Sequence, residues 1–252
     1  PGGLGCGEAV RERAPGAETM MPMTDLVVTT CERLPLLTRT LEYIWERTVS
    51  PYRLHVIDDA STTGNAQYLR ELLVAGKVDS VHLHTERMGV PSHLRAMLRI
   101  TMSDPIVFVD DDILCPKLEP DWLAQGLEAM ERYPDVWLLA LNLPQANIGD
   151  RRHWRERREG VTLCVNVGGT FVFARRAALE PALLPADGTG SAIRWLCLNV
   201  GAAGGKVGYL TDVYCQHIGA ISARNGKDMS RELAKVSPIN PDMLEPPDEY
   251  KG

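Results

Sequence analysis

The stretch Pro105–Leu114, PIVFVDDDIL, sets three adjacent carboxylates directly after an apolar, β-prone run. Like charges this close repel, and burying them unpaired is costly. Either Asp110, Asp111 and Asp112 form a solvated acidic turn, or a positive charge belongs between them. Residues that are neighbours in an extended segment point in opposite directions, so Asp110 and Asp112 can share one side while Asp111 takes the other.

Working outward, apolar β-prone runs alternate with helical patterns. Residues 25–30 (DLVVTT) predict a first strand, followed by Leu37, Leu41 and Ile44 at helical spacing. Residues 53–57 (RLHVI) predict a second strand, then a helix carrying Leu69, Leu72 and Leu73. A third strand is expected at 80–84 and a helix from about Ser92, then a fourth strand at 105–109 and a helix through Leu123, Leu127 and Met130. This rhythm predicts one α/β domain with a mostly parallel, twisted central sheet and helices on both faces. After about Val136 the rhythm changes. Residues 161–174 (VTLCVNVGGTFVFA) predict two strands or one bent strand, with Gly168-Gly169 at the bend. A helix is expected over 191–203, and short strands over 206–210 and 213–217.

Ligands of open parallel sheets bind outside the carboxyl ends of the strands, near a switch in strand order. Three polar groups fall at such ends: TTCER (29–33), DDAST (58–62) and Asp110–Asp112. Two carboxylates on one side suit a hard divalent ion that prefers oxygen ligands and is commonly shared with substrate phosphates. The expected occupant is therefore Mg²⁺ or Mn²⁺ carrying a diphosphate.

Composition sets limits. With 252 residues, 44% of them hydrophobic, the chain can bury a substantial core, and its net charge of −6 gives no global attraction to nucleic acid. No apolar run approaches the ~20 residues that cross a bilayer. The six cysteines show no CxxC pair or zinc-like spacing, which favours reduced core thiols in a cytoplasmic protein over extracellular disulfides. No GxxxxGK[ST] segment is present, which excludes a P-loop nucleotidase. Residues 1–22, rich in Gly, Pro and charge, are expected to be a flexible leader, and 219–252 a loosely held tail.

VVTTCERLPLL, LHVIDDAST and IVFVDDDI, in this order, resemble the family-2-like glycosyltransferases with the GT-A nucleotide-diphospho-sugar transferase fold. The resemblance covers roughly residues 24–218, with 23–115 as a nucleotide-binding half and 116–218 as an acceptor half. It implies a metal-dependent transferase that moves a sugar from a nucleoside-diphosphate sugar, UDP- or GDP-linked, to an acceptor hydroxyl on a glycan, a lipid-linked carrier or a small molecule. By the resemblance, Thr29, Thr30, Glu32 and Arg33 line the base. Asp58 and Asp59 contact base or ribose, and Arg95 lies near the nucleotide. Asp110 and Asp112 match the DxD pair, with Asp111 also near the nucleotide. His217 is similar to a late histidine that ligates metal or touches diphosphate, a role an imidazole can share with carboxylates around Mn²⁺.

The chain departs from the family pattern at the start of the late helix. Inverting members carry a basic carboxylate there; here the segment reads GTGSAIRWLCL, and the nearest carboxylate is Asp187. Asp187 is thus the candidate general base of an inverting transferase. Without a base, a retaining enzyme or a non-catalytic nucleotide-sugar-binding module remains. A sugar nucleotidyltransferase is disfavoured because TTCERLP lacks the Gly-rich triphosphate loop. Trp154 and Trp195 offer flat faces to a sugar acceptor. The run DRRHWRERREG (150–160) is either a solvated helix surface or loop, or a contact for an anionic acceptor such as a phospholipid-linked or phosphorylated sugar, and the expected setting is the cytoplasm, including the inner face of the membrane. Arg224 and Lys227 could close over the diphosphate.

Overall fold

The structure, a computed structural model, describes residues 23–143, 154–180 and 192–219. The first half alternates β1 (Thr24–Thr30), α1 (Leu34–Arg47), β2 (Tyr52–Asp58), α2 (Asn65–Val74), β3 (Ser80–Leu83), α3 (Gly89–Ile100) and β4 (Ile106–Asp110). There follow β5 (Ile113–Leu114), α4 (Trp122–Arg132), β6 (Val136–Asn142), β7 (Trp154–Arg158), β8 (Val161–Cys164) and β9 (Phe171–Ala174). A 3-10 turn at Arg176–Leu179, α5 (Ala192–Ala202), β10 (Lys206–Tyr214) and β11 (Gln216–His217) complete the described chain.

Among the described residues, nine strands form one sheet in the order β3-β2-β1-β4-β9-β6-β10-β8-β7, and β11 pairs with β5. The β3-β2-β1-β4 half is wholly parallel, as the βα rhythm predicts. Beyond it the sheet is mixed: β9 lies antiparallel between β4 and β6, β10 runs parallel to β6, and β8 and β7 add antiparallel pairs. The chain moves outward from β1 to β3, then returns to the other side of β1 as β4. That reversal makes the carboxyl ends of β1 and β4 the switch point at which open sheets bind ligands.

Period-two alternation divides the core. Leu26 and Val28, Val107 and Val109, and Phe171 and Phe173 pack with residues of α1, α2 and α4. Val27, Ile106, Phe108 and Val172 face α3 and α5 instead. Both faces are covered, so the central strands read as continuous apolar runs. Trp122 stacks edge-on against Phe171, with ring centroids 4.7 Å apart. The Asp121 side chain caps α4 by accepting from Ala124 N at 2.8 Å, and it also accepts from Val49 N and Ser50 N at the α1–β2 turn.

Several local expectations need correction. Residues 206–210 and 213–217 are not two equal short strands: β10 is continuous to Tyr214, and only Gln216–His217 separates. The helix expected from Ser92 begins at Gly89. VTLC and FVFA are two strands, and they are not neighbours in the sheet. Gly169 between them packs so tightly that a β-carbon would lie 2.2 Å from Ile193 Cγ1, so the bend docks the start of α5. Within the Arg-rich run, residues 154–158 are an edge strand, neither helix nor loop. Arg158 is occupied by Asp135, at 2.8 and 3.0 Å. Charge on an edge strand also discourages pairing with another chain. Arg151 and Arg152 lie outside the described residues.

The candidate nucleotide and metal site

Strand register assembles the site. Across the parallel pairs Thr30 stands beside Asp58, and Thr29 beside Asp110. Antiparallel pairing of β11 with β5 sets His217 opposite Ile113, and Ile218 N donates to the Asp112 carbonyl at 2.8 Å. The acid triplet thus receives residues from three separate parts of the chain.

The carboxylates divide by partner: Asp110 ends β4, whereas Asp111 and Asp112 lie in the turn that follows and share Arg33. Thr29 Oγ1 donates to Asp110 Oδ1 at 3.3 Å. Asp111 is fully buried, accepting from Thr30 Oγ1 at 2.6 Å and from Arg33. Arg33 also donates to Asp112 Oδ2 at 2.5 Å, so its guanidinium forks across two acids. A positive charge inside the triplet is therefore supplied by the chain itself, which the sequence alone did not reveal. Asn65 Nδ2 donates to Thr30 Oγ1 at 3.3 Å, continuing the network into α2.

The remaining oxygen, Asp112 Oδ1, is buried without an aligned hydrogen-bond donor. His217 Nε2 lies 3.3 Å from it. Gly219 closes over the same carboxylate, where a β-carbon would lie 2.0 Å from Oδ2. Burial, reinforced by the Asp112 and Asp111 charges, pushes the Asp110 carboxyl up to about 8 against the pull of Arg33 and Thr29. Burial also raises Asp111, to about 6, although Arg33 opposes it. Asp112 moves the other way: burial would raise it, but His217 and Arg33 hold it below the ordinary carboxylate range. Asp112 in turn raises the His217 imidazole against its burial. Burial, mutual repulsion and the shared Arg33 and His217 contacts thus push the three adjacent acids apart, two raised and one lowered.

The neighbouring loops are stiff. Glu32, in the left-handed region at φ 61, accepts from Thr62 N at 2.9 Å and Thr63 Oγ1 at 2.8 Å, lashing the β1–α1 loop to the β2–α2 loop. Ala60, at φ 58, shares that sparsely populated conformation. Left-handed non-glycine residues persist where surrounding contacts over-determine them. Asp58 accepts from Ser61 N at 3.1 Å and Ser61 Oγ at 2.5 Å, and so shapes the turn after β2. Asp59 accepts from Met88 N at 2.7 Å and Gly89 N at 3.1 Å and meets His84 and His93. These two histidines carried no signal beyond alternation in the sequence, nor did Gly219.

Arg95 lines a cavity of about 570 Å³ together with His82, His84, Met88, Ser92 and Arg99. Trp195 is 48% exposed on α5. Trp154 begins β7. Asp187, Arg224 and Lys227 lie outside the described residues. Among the described residues Cys31, Cys115, Cys164, Cys197 and Cys215 are all free. No helix of the described residues is long and apolar enough to cross a membrane.

A sheet reversing at β1 and β4, with an acid pair at that edge, defines the nucleotide-diphospho-sugar transferase architecture. A model of glycosyl transferase family 2 matches residues 25–181, and the chain belongs to that family. Among solved structures, it resembles the mannosyltransferase PcManGT from Pyrobaculum calidifontis in complex with GDP-Man and Mn²⁺ (22% identity, TM-score 0.64, 79% of this chain and 58% of that one). It also resembles GalNAc-T7 with UDP, GalNAc and Mn²⁺ (14% identity, TM-score 0.60, 80% and 44%). A third is S. aureus TarS 1–349 in complex with UDP-GlcNAc (14% identity, TM-score 0.59, 84% and 64%). The chain spans less than two thirds of each of these. At such identities the likeness establishes the fold. No curated protein matches the sequence.

Proposed function

We propose that this chain is a divalent-metal-dependent glycosyltransferase that moves a sugar from a UDP- or GDP-sugar to an acceptor hydroxyl. The observation that carries the proposal is the buried Asp112 Oδ1, which lacks an aligned donor and stands 3.3 Å from His217 Nε2 at the sheet's switch point. An orphaned carboxylate oxygen beside an imidazole, with Asp110 two residues away, fits a Mn²⁺ or Mg²⁺ ion by ligand chemistry. Asp110, Asp112 and His217 would hold that ion, which when bound supplies Lewis-acid neutralisation of the diphosphate leaving group. The similar solved structures that carry GDP-Man, UDP or UDP-GlcNAc support a nucleotide-sugar donor, and two of them carry Mn²⁺.

The chain's own residues have separable tasks. Arg33 and Thr30 hold Asp111 charged and immobile, which fixes the neighbouring carboxylates before any ligand arrives; such preorganisation is what transition-state stabilisation requires. Thr29 orients Asp110. The lashing of Glu32 to Thr62 and Thr63 stiffens the wall against which the base would rest. Arg95, on the cavity beside α3, would face the nucleotide. Asp187 would accept the acceptor hydroxyl's proton, giving inversion; a carboxylate within reach of the reacting hydroxyl suffices for that work. Trp154 and Trp195 would offer faces to a glycan, lipid-linked or small-molecule acceptor, in a cytoplasmic setting that includes the inner membrane face. Residues 23–115 would bind nucleotide and 116–218 acceptor.

The test is turnover. The purified chain is incubated with Mn²⁺ and a panel of UDP- and GDP-sugars, nucleoside diphosphate release is followed, and the product's anomeric configuration is determined by NMR. Release from one donor, lost in Asp187→Asn, is expected. Tight metal-dependent binding without release from any donor would replace the transferase by a nucleotide-sugar-binding module.

A further inference from the structure

A second cluster of ligand-type side chains stands where β2, β3 and α3 meet. Asp59 Oδ1 is 3.2 Å from His84 Nδ1 and 3.2 Å from His93 Nε2. All three ligand atoms lie within 4.8 Å of one another. Tetrahedral Zn²⁺ holds nitrogen and oxygen ligands at about 2.0–2.1 Å, which places adjacent donor atoms about 3.3 Å apart. Both separations match that edge.

Hydrogen bonding explains only part of the cluster. His84 is placed to hydrogen-bond Oδ1, yet His93 Nε2, on a side chain 9% exposed, makes no aligned hydrogen bond. A buried ring nitrogen that touches a carboxylate without an aligned hydrogen bond is under-satisfied, and such a group calls for a cause. The carboxylate is already oriented by backbone donors: Met88 N reaches Oδ1 at 2.7 Å and Gly89 N reaches Oδ2 at 3.1 Å. Supporting donors of this kind are what fix a metal ligand's geometry. His84 also borders the 570 Å³ cavity, so ions and water reach the cluster from that side.

We propose that Asp59, His84 and His93 form a second metal site, selective for Zn²⁺-class ions, separate from the acid triplet. Two imidazoles and one carboxylate oxygen are a borderline donor set that suits Zn²⁺ or Co²⁺ and not Mg²⁺. Three protein ligands leave one position to water. An ion there clamps the β3–α3 loop, residues 84–88, to the end of β2.

Co²⁺ is the probe, because its visible ligand-field absorption is intense in tetrahedral and weak in octahedral sites. Metal-stripped protein is titrated with Co²⁺ in the wild type, Asp112→Asn, His84→Gln and His93→Gln, with folding checked by circular dichroism. The expected result is one Co²⁺ of tetrahedral intensity per chain, displaced by Zn²⁺, retained in Asp112→Asn and lost in both histidine variants. If His93→Gln does not fold, His84→Gln carries the comparison. A band absent or only of octahedral intensity in the wild type, lost in Asp112→Asn, or retained in a folded histidine variant overturns the proposal.

Discussion

Gly219 lies against Asp112 so closely that a β-carbon on it would stand 2.0 Å from Oδ2 and 2.8 Å from Cγ. Oδ2 is also the oxygen that Arg33 grips at 2.5 Å, so the carboxylate cannot simply rotate away. Gly219→Ala is therefore expected to displace Asp112 or lift the segment after β11. Overpacking of this kind costs about 1–3 kcal/mol. Mn²⁺-dependent nucleotide affinity should fall by about tenfold or more, while the thermal midpoint drops only a few degrees. Calorimetry and thermal unfolding measure the two effects separately, and an unchanged affinity would contradict a role for Asp112 in holding the metal.

Arg33 is the counter-charge of a buried acid. Arg33→Met leaves Asp111 buried with only Thr30 as a partner, and breaking a buried pair from one side costs about 3–5 kcal/mol. Urea unfolding at pH 7.5 should show a loss of that order, shrinking at lower pH as Asp111 takes up a proton. Arg33→Lys keeps the charge but not the two-pronged geometry, so it should recover only part of the loss. A loss below about 1 kcal/mol in Arg33→Met would mean that the fork is not a stabilising contact.

Divalent-ion binding should release a proton. With its carboxyl pushed up to about 8, Asp110 is largely protonated at pH 7 and must lose that proton to become a ligand. The free protein then binds more protons than the complex, so Mn²⁺ affinity rises with pH and levels off above about 8. Calorimetry at pH 7 in two buffers of different ionisation enthalpy should report about one proton released from Asp110, and more in so far as the His217 imidazole, raised by Asp112, must also become neutral to ligate. Equal heats in both buffers would contradict the raised state of Asp110.

At the opposite end of β1, Asp25 makes a different pH prediction. Burial would raise its carboxyl, but hydrogen bonds from Ser103, His55, Met102 and Arg53 outweigh it and hold it at about 2. A carboxyl lowered on folding contributes stability that is full above its unfolded value of about 3.9 and is lost as pH falls towards 2. The contribution is about 2 kcal/mol, and Asp25→Asn should flatten the acid limb of the stability curve by that amount. Nucleotide binding at pH 7 should be unaffected. An acid limb identical to wild type would show that this network is not the acid-sensitive one.

The parallel half was legible because its signals are local. DLVVTT, RLHVI and PIVFV each carry strand composition, turn residues follow each, and a parallel sheet then requires their acids to share an edge. What stayed hidden depends on distant parts of the chain. Nothing near Arg33 says that its guanidinium crosses to Asp111 and Asp112, 78 and 79 positions away. The position of β9 between β4 and β6 comes from long-range pairing that VTLCVNVGGTFVFA does not encode locally. His84 and His93 meet only because β3 and α3 bring both to Asp59. The charged run at 154–158 hid an edge strand because its pattern was polar, and an edge needs little apolar content.

The most direct test of the metal–diphosphate account is calorimetric titration of UDP and GDP into wild type and Asp112→Asn, each with Mn²⁺ and with EDTA. The account predicts that one nucleotide binds the wild type only with Mn²⁺, and that Asp112→Asn, still folded, loses this binding. Binding that ignores both EDTA and the substitution, or no binding of either nucleotide to folded wild type, would contradict it.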